Sequence, residues 1–150
     1  MIYYKSGDVY LNEDANIIFN PVGVIDNHKG FLQKIKTLYP DVYTEYSEFI
    51  WMCGEKELLG DIQLVKIGDK RLMLNGFCIN RRGNIDKLAL TKSLVELCNL
   101  AYEYKLSVSI EYGLGIVHPK EERKAISMII KEVFKDVDGV DVFIYDRNRK

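Results

Sequence analysis

The sequence predicts an α/β domain in which a central mixed sheet carries helices on both faces. Its 150 residues suit one ordinary domain and are too few for two. A content of 47% hydrophobic and 29% charged residues is typical of a folded globular protein. Short β-rich runs alternate with segments of helical periodicity along the chain, which is the pattern of a sheet layered with helices.

Six runs rich in β-branched and aromatic residues predict the strands. The run Asn16–Asn20 is almost wholly apolar, which suits a strand covered on both faces, and Pro21 is expected to end it. Gly68-Asp69-Lys70 is a hairpin signal between two of the runs. The expected strands are residues 2–5, 16–20, 61–67, 71–77, 106–111 and 140–145.

Four segments have apolar residues at helical spacing. The first begins near Gly30 and Pro40 is expected to stop it, while Asp41 is a suitable N-cap for the second. Pro119 fits the first turn of the fourth. The expected helices cover residues 30–39, 41–52 and 85–104, and a last segment that starts at residue 119.

Charge and composition exclude several classes of partner. The 21 Lys plus Arg against 22 Asp plus Glu leave a net charge of -1, so no bulk positive field favours DNA. No apolar run approaches the ~18 residues of a membrane span, and Met1–Lys5 lacks a signal-peptide layout. The three cysteines, Cys53, Cys78 and Cys98, are expected to be buried, reduced thiols. We therefore expect a cytoplasmic protein without a DNA or membrane partner, and the sequence predicts no particular oligomeric state.

Several kinds of catalytic and cofactor site are also excluded by motif. No GxxxxGK[ST] or Gly-X-Ser-X-Gly string occurs, and Gly113 and Gly115 do not continue into a dinucleotide-binding GxGxxG fingerprint. His28 and His118 have no Cys or His partner at ligand spacing. No metal and no cofactor are expected.

Two glycine-containing loops stand where α/β sheets bind ligands, beyond strand ends and ahead of helices. The first runs from Pro21 through Gly23 and Val24 to Lys29-Gly30, and the second covers Tyr112–Ile116. Backbone N–H groups and a helix dipole at such loops favour phosphate, so two loops side by side would clasp a diphosphate. The alternative interpretation is a pair of ordinary tight turns.

The ordered set of these segments resembles the macro domain, the ADP-ribose-binding fold, over nearly the whole chain. Tyr39-Pro40-Asp41-Val42-Tyr43 is similar to a stretch of small bacterial and phage members. The resemblance implies a three-layer α/β/α fold. The other segments that carry it are Gly7-Asp8-Val9, Asn16–Val24, Lys29-Gly30, Tyr112–Gly115 and Val142–Tyr145.

The resemblance also implies a role for each site residue. Asn16 would read the adenine amine beside the backbone of Asp8 and Val9, Asn20 would face the distal ribose, and Tyr145 would stack near adenine or the proximal ribose. The resemblance implies two phosphate walls, with Pro21 and Tyr112 as further ligand-binding residues. The walls are Gly23, Val24, Lys29 and Gly30 on one side, and Gly113, Leu114, Gly115 and Ile116 on the other.

Three functions fit these residues. The first is binding of ADP-ribose, or of a cyclic or phosphorylated derivative, as a sponge or reader. The second is hydrolysis of an ADP-ribose linkage or of the 1″-phosphate, with Asn20, Asp26, His28 and Lys29 as catalytic candidates. The third is an interaction module with a vestigial pocket and surface tyrosines at positions 39, 43 and 46.

Overall fold

A computed structural model describes residues 1–25, 31–54, 57–116 and 119–148. Within these ranges the strands are β1 (Ile2–Ser6), β2 (Ile17–Gly23), β3 (Ile62–Gly68), β4 (Arg71–Ile79), β5 (Val108–Glu111) and β6 (Val142–Asp146). Short 3-10 helices follow β1 and β5, at Val9–Leu11 and Tyr112–Gly115. The α-helices of the same ranges are α1 (Phe31–Leu38), α2 (Pro40–Cys53), α3 (Lys87–Tyr104) and α4 (Lys120–Phe134).

The strands form a mixed sheet in the order β1-β6-β5-β2-β4-β3. β6 is parallel to both β1 and β5, and β3 and β4 form the antiparallel hairpin expected from the sequence. In the parallel part, Glu111 at the end of β5 is in register with Tyr145 of β6, and Ser6 with Asp146. The predicted α/β class, with a mixed sheet in a three-layer α/β/α fold, is confirmed.

The chain divides into two compact units, which we describe separately. The first unit comprises Met1–Phe19 and Leu94–Lys150, and the second comprises Asn20–Ser93. That the chain is a single domain stays a prediction. In the first unit α4 buries Ile126, Ile130 and Phe134, the stripe expected from helical spacing.

An aromatic cluster forms the core of the second unit. The rings of Tyr46 and Phe77 stack at 6.0 Å between centroids, and Phe49 packs on Phe77 at 5.6 Å. Tyr46 is only 1% exposed, so its assignment to a surface patch is wrong. Its hydroxyl donates to the backbone carbonyl of Gly23 at 2.7 Å, which gives the one polar atom of a buried ring a partner.

Proline has different effects from those expected at two positions. Pro21 lies inside β2 and does not end it. The pairing of β2 with β5 covers Ile17 and Ile18, so the missing N–H of Pro21 falls beyond that ladder. Pro40 is the first residue of α2, with Tyr39 rather than Asp41 at the N-cap, because a proline needs no N–H partner in the first turn.

The strand β5 begins later than its apolar pattern suggests. Lys105 adopts a left-handed φ of 56°, and the N–H of Leu106 donates to the carbonyl of Ala101 at 2.9 Å. These residues close the end of α3, so the extended chain starts at Val108.

The cysteines differ in burial. Cys78 and Cys98 are buried, and burial raises the pKa of the Cys78 thiol to about 12. Cys53 is half-buried, so its assignment as a buried thiol is wrong, because it lies in the last turn of α2. No helix within the described ranges combines the length and apolarity needed to cross a bilayer.

Candidate functional site

A cleft of about 250 Å³ lies in the first unit, at the carboxyl ends of β5 and β6. This is the edge at which ligands bind in open α/β sheets, since the loops leaving parallel strands diverge there. The register of Glu111 with Tyr145 brings the ends of the two strands to the same level. The lining residues are Glu111, Tyr112, Gly115, Ile116, Arg123, Tyr145, Asp146, Arg147 and Asn148.

The loop after β5 has an uncommon backbone. Gly113, Leu114 and Gly115 have φ values of 59°, 53° and 78°, all in the left-handed region that favours glycine. Leu114 pays this conformational cost while fully buried, so its side chain anchors the loop in the core. A Cβ on Gly113 would lie 2.6 Å from Cγ of Arg123, so glycine is also needed there for space.

Arg123, on α4, packs against the loop after β5. Its guanidinium lies 4.5 Å from the ring centroid of Tyr112 and 3.4 Å from the carboxylate of Asp146. The cation is therefore shared between an aromatic face and an ion pair. It links α4, the loop after β5 and the end of β6.

Arg147 and Glu111 form a second ion pair in the cleft. Nη2 and Nε of Arg147 donate to Oε2 of Glu111 at 2.7 and 3.1 Å. The nearby Glu111 carboxylate raises the pKa of Arg147. Glu111 is 6% exposed, and its Oε1 is buried without a hydrogen-bond partner among the described residues. The two arginines thus place two positive groups in the cleft, each balanced by a carboxylate.

Tyr145 borders the cleft with a side chain that is only 1% exposed, and its hydroxyl is engaged elsewhere. The hydroxyl donates to the carboxylate of Asp14, which also pairs with Lys5 at 3.2 Å. Burial, and then the bond to Asp14, raises the pKa of Tyr145. The same bond, followed by Lys5, lowers the pKa of Asp14. These contacts hold the tyrosine hydroxyl beside Asp14.

Three further residues of the first unit, expected near adenine, have structural partners. Oδ1 of Asp8 accepts from the N–H of Tyr10 at 2.9 Å, and Val9 is buried in the 3-10 helix that this bond starts. Oδ1 of Asn16 accepts from both the N–H and the hydroxyl of Ser107, at 2.9 and 3.1 Å. The oxygen proposed to read the adenine amine therefore already has two donors.

The site residues of the second unit that are described lie in and just after β2. Asn20 is 1% exposed, and its Nδ2 donates to Oδ1 of Asn75 at 2.8 Å. Pro21 is buried beside it, and the N–H of Val24 donates to the carbonyl of Ile79 at 3.1 Å. Gly23 does not have a left-handed φ, so its expected conformational role is not what selects glycine there.

The remaining predicted residues of the first loop lie outside the described residues. They are Asp26, His28, Lys29 and Gly30, and the same holds for His118 in the second loop.

The structure brings four predicted residues together in the cleft: Tyr112, Gly115, Ile116 and Tyr145. Sequence reasoning missed the charged and polar lining residues. Glu111 had a visible signal, because it is a carboxylate that follows directly on an uncharged β-rich run, Leu106–Ile110. The other lining residues gave no separate signal, because they lie among many polar residues in an amphipathic helix and in a polar C-terminal stretch. They are Arg123, Asp146, Arg147 and Asn148.

A second hollow, of about 290 Å³, lies within the second unit. Val24 contributes to it, and the exposed Arg81 and Arg82 stand at its edge. Glu57 lies on the same hollow, and one of its carboxylate oxygens accepts from the N–H of Leu59 at 3.0 Å.

No protein-family model matches the chain, and a comparison with curated proteins gives no match. Solved structures do match it. The macrodomain of Mycobacterium tuberculosis DarG superposes with a TM-score of 0.80 at 23% identity, over 97% of this chain and 97% of that one. A macrodomain protein from Streptomyces coelicolor gives 0.81 at 19% identity, over 97% and 99%. Thermosipho africanus DarTG in complex with ADP-ribose gives 0.72 at 16% identity, over 96% of this chain and 41% of that one.

Proposed function

Because the chain has the macrodomain fold, we propose that it binds an ADP-ribose-type nucleotide, as a sponge or reader. The observation that carries this proposal is the cleft at the ends of β5 and β6. It is lined by Tyr112, Gly115, Ile116 and Tyr145, for which the resemblance implies ligand contact. The complex of the similar Thermosipho africanus DarTG with ADP-ribose supports the same class of ligand.

The chemistry of the cleft suits part of such a nucleotide. Guanidinium groups at Arg123 and Arg147 match phosphate oxygens, and the half-buried ring of Tyr112 offers an apolar surface to a base or sugar. Pockets that enclose a whole drug-sized ligand have volumes of roughly 300 to 1,000 Å³. A volume of about 250 Å³ therefore accommodates a portion of ADP-ribose rather than all of it.

Outside the cleft, the proposal keeps Asn20 as the residue for the distal ribose. Its amide is held by a buried partner, which suits a fixed hydrogen-bonding group. We propose binding rather than turnover, because binding requires only donors, acceptors and a ring, and the described residues supply these.

Isothermal titration with ADP-ribose, ADP and ADP-ribose 1″-phosphate tests the proposal. Ile116→Glu places a negative charge in the cleft and is expected to weaken ADP-ribose binding at least about tenfold. Met128→Glu is the matched control, since Met128 is 65% exposed on α4 and does not line the cleft. Absence of heat with all three nucleotides would refute the proposal. Chromatography of the recovered nucleotide separates binding from hydrolysis.

A further inference from the structure

We infer that the loop after β4, residues 80–84, forms a binding site for a sugar phosphate together with the hollow of the second unit. Arg81 and Arg82 hold the phosphate group, and Glu57 accepts a hydrogen bond from a sugar hydroxyl. All residues of this site belong to the second unit, so the inference goes beyond the proposed nucleotide binding in the cleft and does not depend on it.

The hollow lies at the carboxyl ends of two neighbouring strands. β2 ends at Gly23 and β4 at Ile79, and the N–H of Val24 donates to the carbonyl of Ile79 at 3.1 Å. The two strands therefore end at the same level, at the kind of sheet edge where α/β folds bind ligands. The volume of about 290 Å³ is close to the roughly 300 Å³ at which pockets begin to enclose small ligands. Val24 and Leu59 supply apolar lining.

The loop after β4 has its backbone held by one asparagine. Oδ1 of Asn80 accepts from the N–H groups of Arg82 and Asn84, at 3.0 and 3.1 Å. The carbonyl of Asn80 accepts from the N–H of Gly83 at 2.9 Å, and Gly83 has a left-handed φ of 85° that favours glycine. Because the turn is already closed, the loop backbone gives up little freedom when its side chains bind a ligand.

The two arginines of this loop are not paired with carboxylates. Arg81 and Arg82 line the hollow with exposed side chains, and neither guanidinium makes an ion pair or a hydrogen bond within the part of the chain that the structure describes. Arg123 and Arg147 in the cleft differ, since each of them is paired with a carboxylate. The oxygen of the Asn80 side chain is committed to backbone N–H groups, so its NH₂ group is left as a further donor.

A phosphomonoester matches these donors better than a carboxylate does. It offers three terminal oxygens and a charge of about −1.5 to −2 at pH 7, whereas a carboxylate offers two oxygens and a single charge. Each guanidinium presents a fork of N–H groups that binds two oxygens at once. Two such forks and one NH₂ group therefore suit the phosphate, and two positive charges balance it.

Glu57 separates a sugar phosphate from inorganic phosphate. One of its carboxylate oxygens accepts from the N–H of Leu59 at 3.0 Å, and the other makes no hydrogen bond with any described residue. An ionised carboxylate only accepts, so it favours a ligand hydroxyl and repels a bare phosphate ion. With the phosphate on the arginines, the carbon face of the sugar packs against Val24 and Leu59.

NMR titration of the backbone amides with ribose 5-phosphate at low salt tests the site. We expect chemical-shift changes at residues 80–84 with a Kd of about 1 mM or lower, and inorganic phosphate should bind at least about threefold more weakly. Ribose without a phosphate should not bind. Raising the ionic strength from about 0.01 to about 1 M should weaken ribose 5-phosphate binding at least about tenfold, because the screening length falls from about 30 to about 3 Å.

The exposed side chains allow substitutions that leave the fold intact. Arg81→Gln and Arg82→Gln together should weaken ribose 5-phosphate binding at least about tenfold. The control Lys66→Gln removes an exposed charge of β3 outside the hollow and should change the affinity less than about twofold. Glu57→Gln keeps an acceptor for Leu59 and removes the negative charge, so inorganic phosphate should bind about twofold tighter.

The outcomes that contradict the inference are distinct from those that bear on the cleft. It is overturned if the amides of residues 80–84 do not respond, if ribose 5-phosphate and inorganic phosphate bind equally, or if the double arginine variant keeps its affinity. Ile116→Glu acts on the cleft and should leave ribose 5-phosphate binding unchanged. A parallel loss in that variant would place the sugar phosphate in the cleft and also overturn the inference. Failure of ADP-ribose to bind would overturn only the proposed function.

Discussion

Replacing Gly113 by alanine tests the construction of the loop after β5. Alanine at a φ of 59° costs about 1 kcal/mol from backbone sterics alone. Its Cβ would also lie 2.6 Å from Cγ of Arg123, so the arginine must move. Movement of Arg123 forfeits its contact with the Tyr112 ring and its ion pair with Asp146, together about 1 to 2 kcal/mol. The expected destabilisation is about 2 to 3 kcal/mol.

Gly139 provides the matched control in the same unit. It has a φ of 83°, and an added Cβ would meet nothing within 4 Å. Gly139→Ala therefore carries the backbone cost without the collision, about 1 kcal/mol. For a chain of this size, thermal unfolding should shift by about 4 to 12 °C for Gly113→Ala and by about 2 to 4 °C for Gly139→Ala.

A third measurement isolates the collision. In an Arg123→Ala background the neighbour of Gly113 is gone, so Gly113→Ala should cost only the backbone term, about 1 kcal/mol. Chemical denaturation of the two single variants and the double variant gives this coupling directly. The reasoning is refuted if Gly113→Ala costs no more than Gly139→Ala, or if its cost is unchanged without Arg123.

Two further predictions concern the charges around the cleft. Arg147→Ala strips the buried Glu111 carboxylate of its partner and should destabilise the protein by about 2 kcal/mol, whereas Glu111→Gln should cost less than about 1 kcal/mol. Urea unfolding should also show the double variant recovering part of the Arg147→Ala loss, and an additive loss would contradict the buried-charge argument. The Tyr145 hydroxyl, and then Lys5, lower the pKa of Asp14 in the folded protein. The ionised Asp14 therefore stabilises the fold fully above its ordinary pKa, and this stabilisation is lost as pH falls through the lowered pKa. The natural protein should therefore have a higher free energy of unfolding than Asp14→Asn at pH 7, and this difference should disappear as pH falls below about 4. A difference that does not depend on pH would contradict this assignment.

The elements of the fold were largely predictable because their signals are local. The β3–β4 hairpin follows from a three-residue turn between two β-rich runs, and the α4 stripe follows from helical spacing. Two of the errors arose at prolines, because the sequence does not say where a backbone N–H is needed for pairing. Pro21 continues β2, and Pro40 begins α2 as well as ending the helix before it.

The candidate site was predictable in part for the same reason. The glycines of Tyr112–Gly115 marked a loop of special backbone, and three consecutive left-handed residues occur there. Nothing in the sequence pointed to Arg123, since it is one of several charges on an amphipathic helix. Its role depends on lying against Tyr112 and beside Gly113.

By itself, then, the sequence determined the α/β class, the order of the elements and the glycine loop after β5, because hydrophobic period and turn chemistry act between near neighbours. Tertiary structure alone decided which polar groups meet. Arg147 pairs with Glu111, which is 36 positions away in the sequence, and Asn20 donates to Asn75, which is 55 positions away. Such pairings depend on the order and register of strands brought together by folding, and burial then makes each unmatched donor or acceptor costly enough to fix the arrangement.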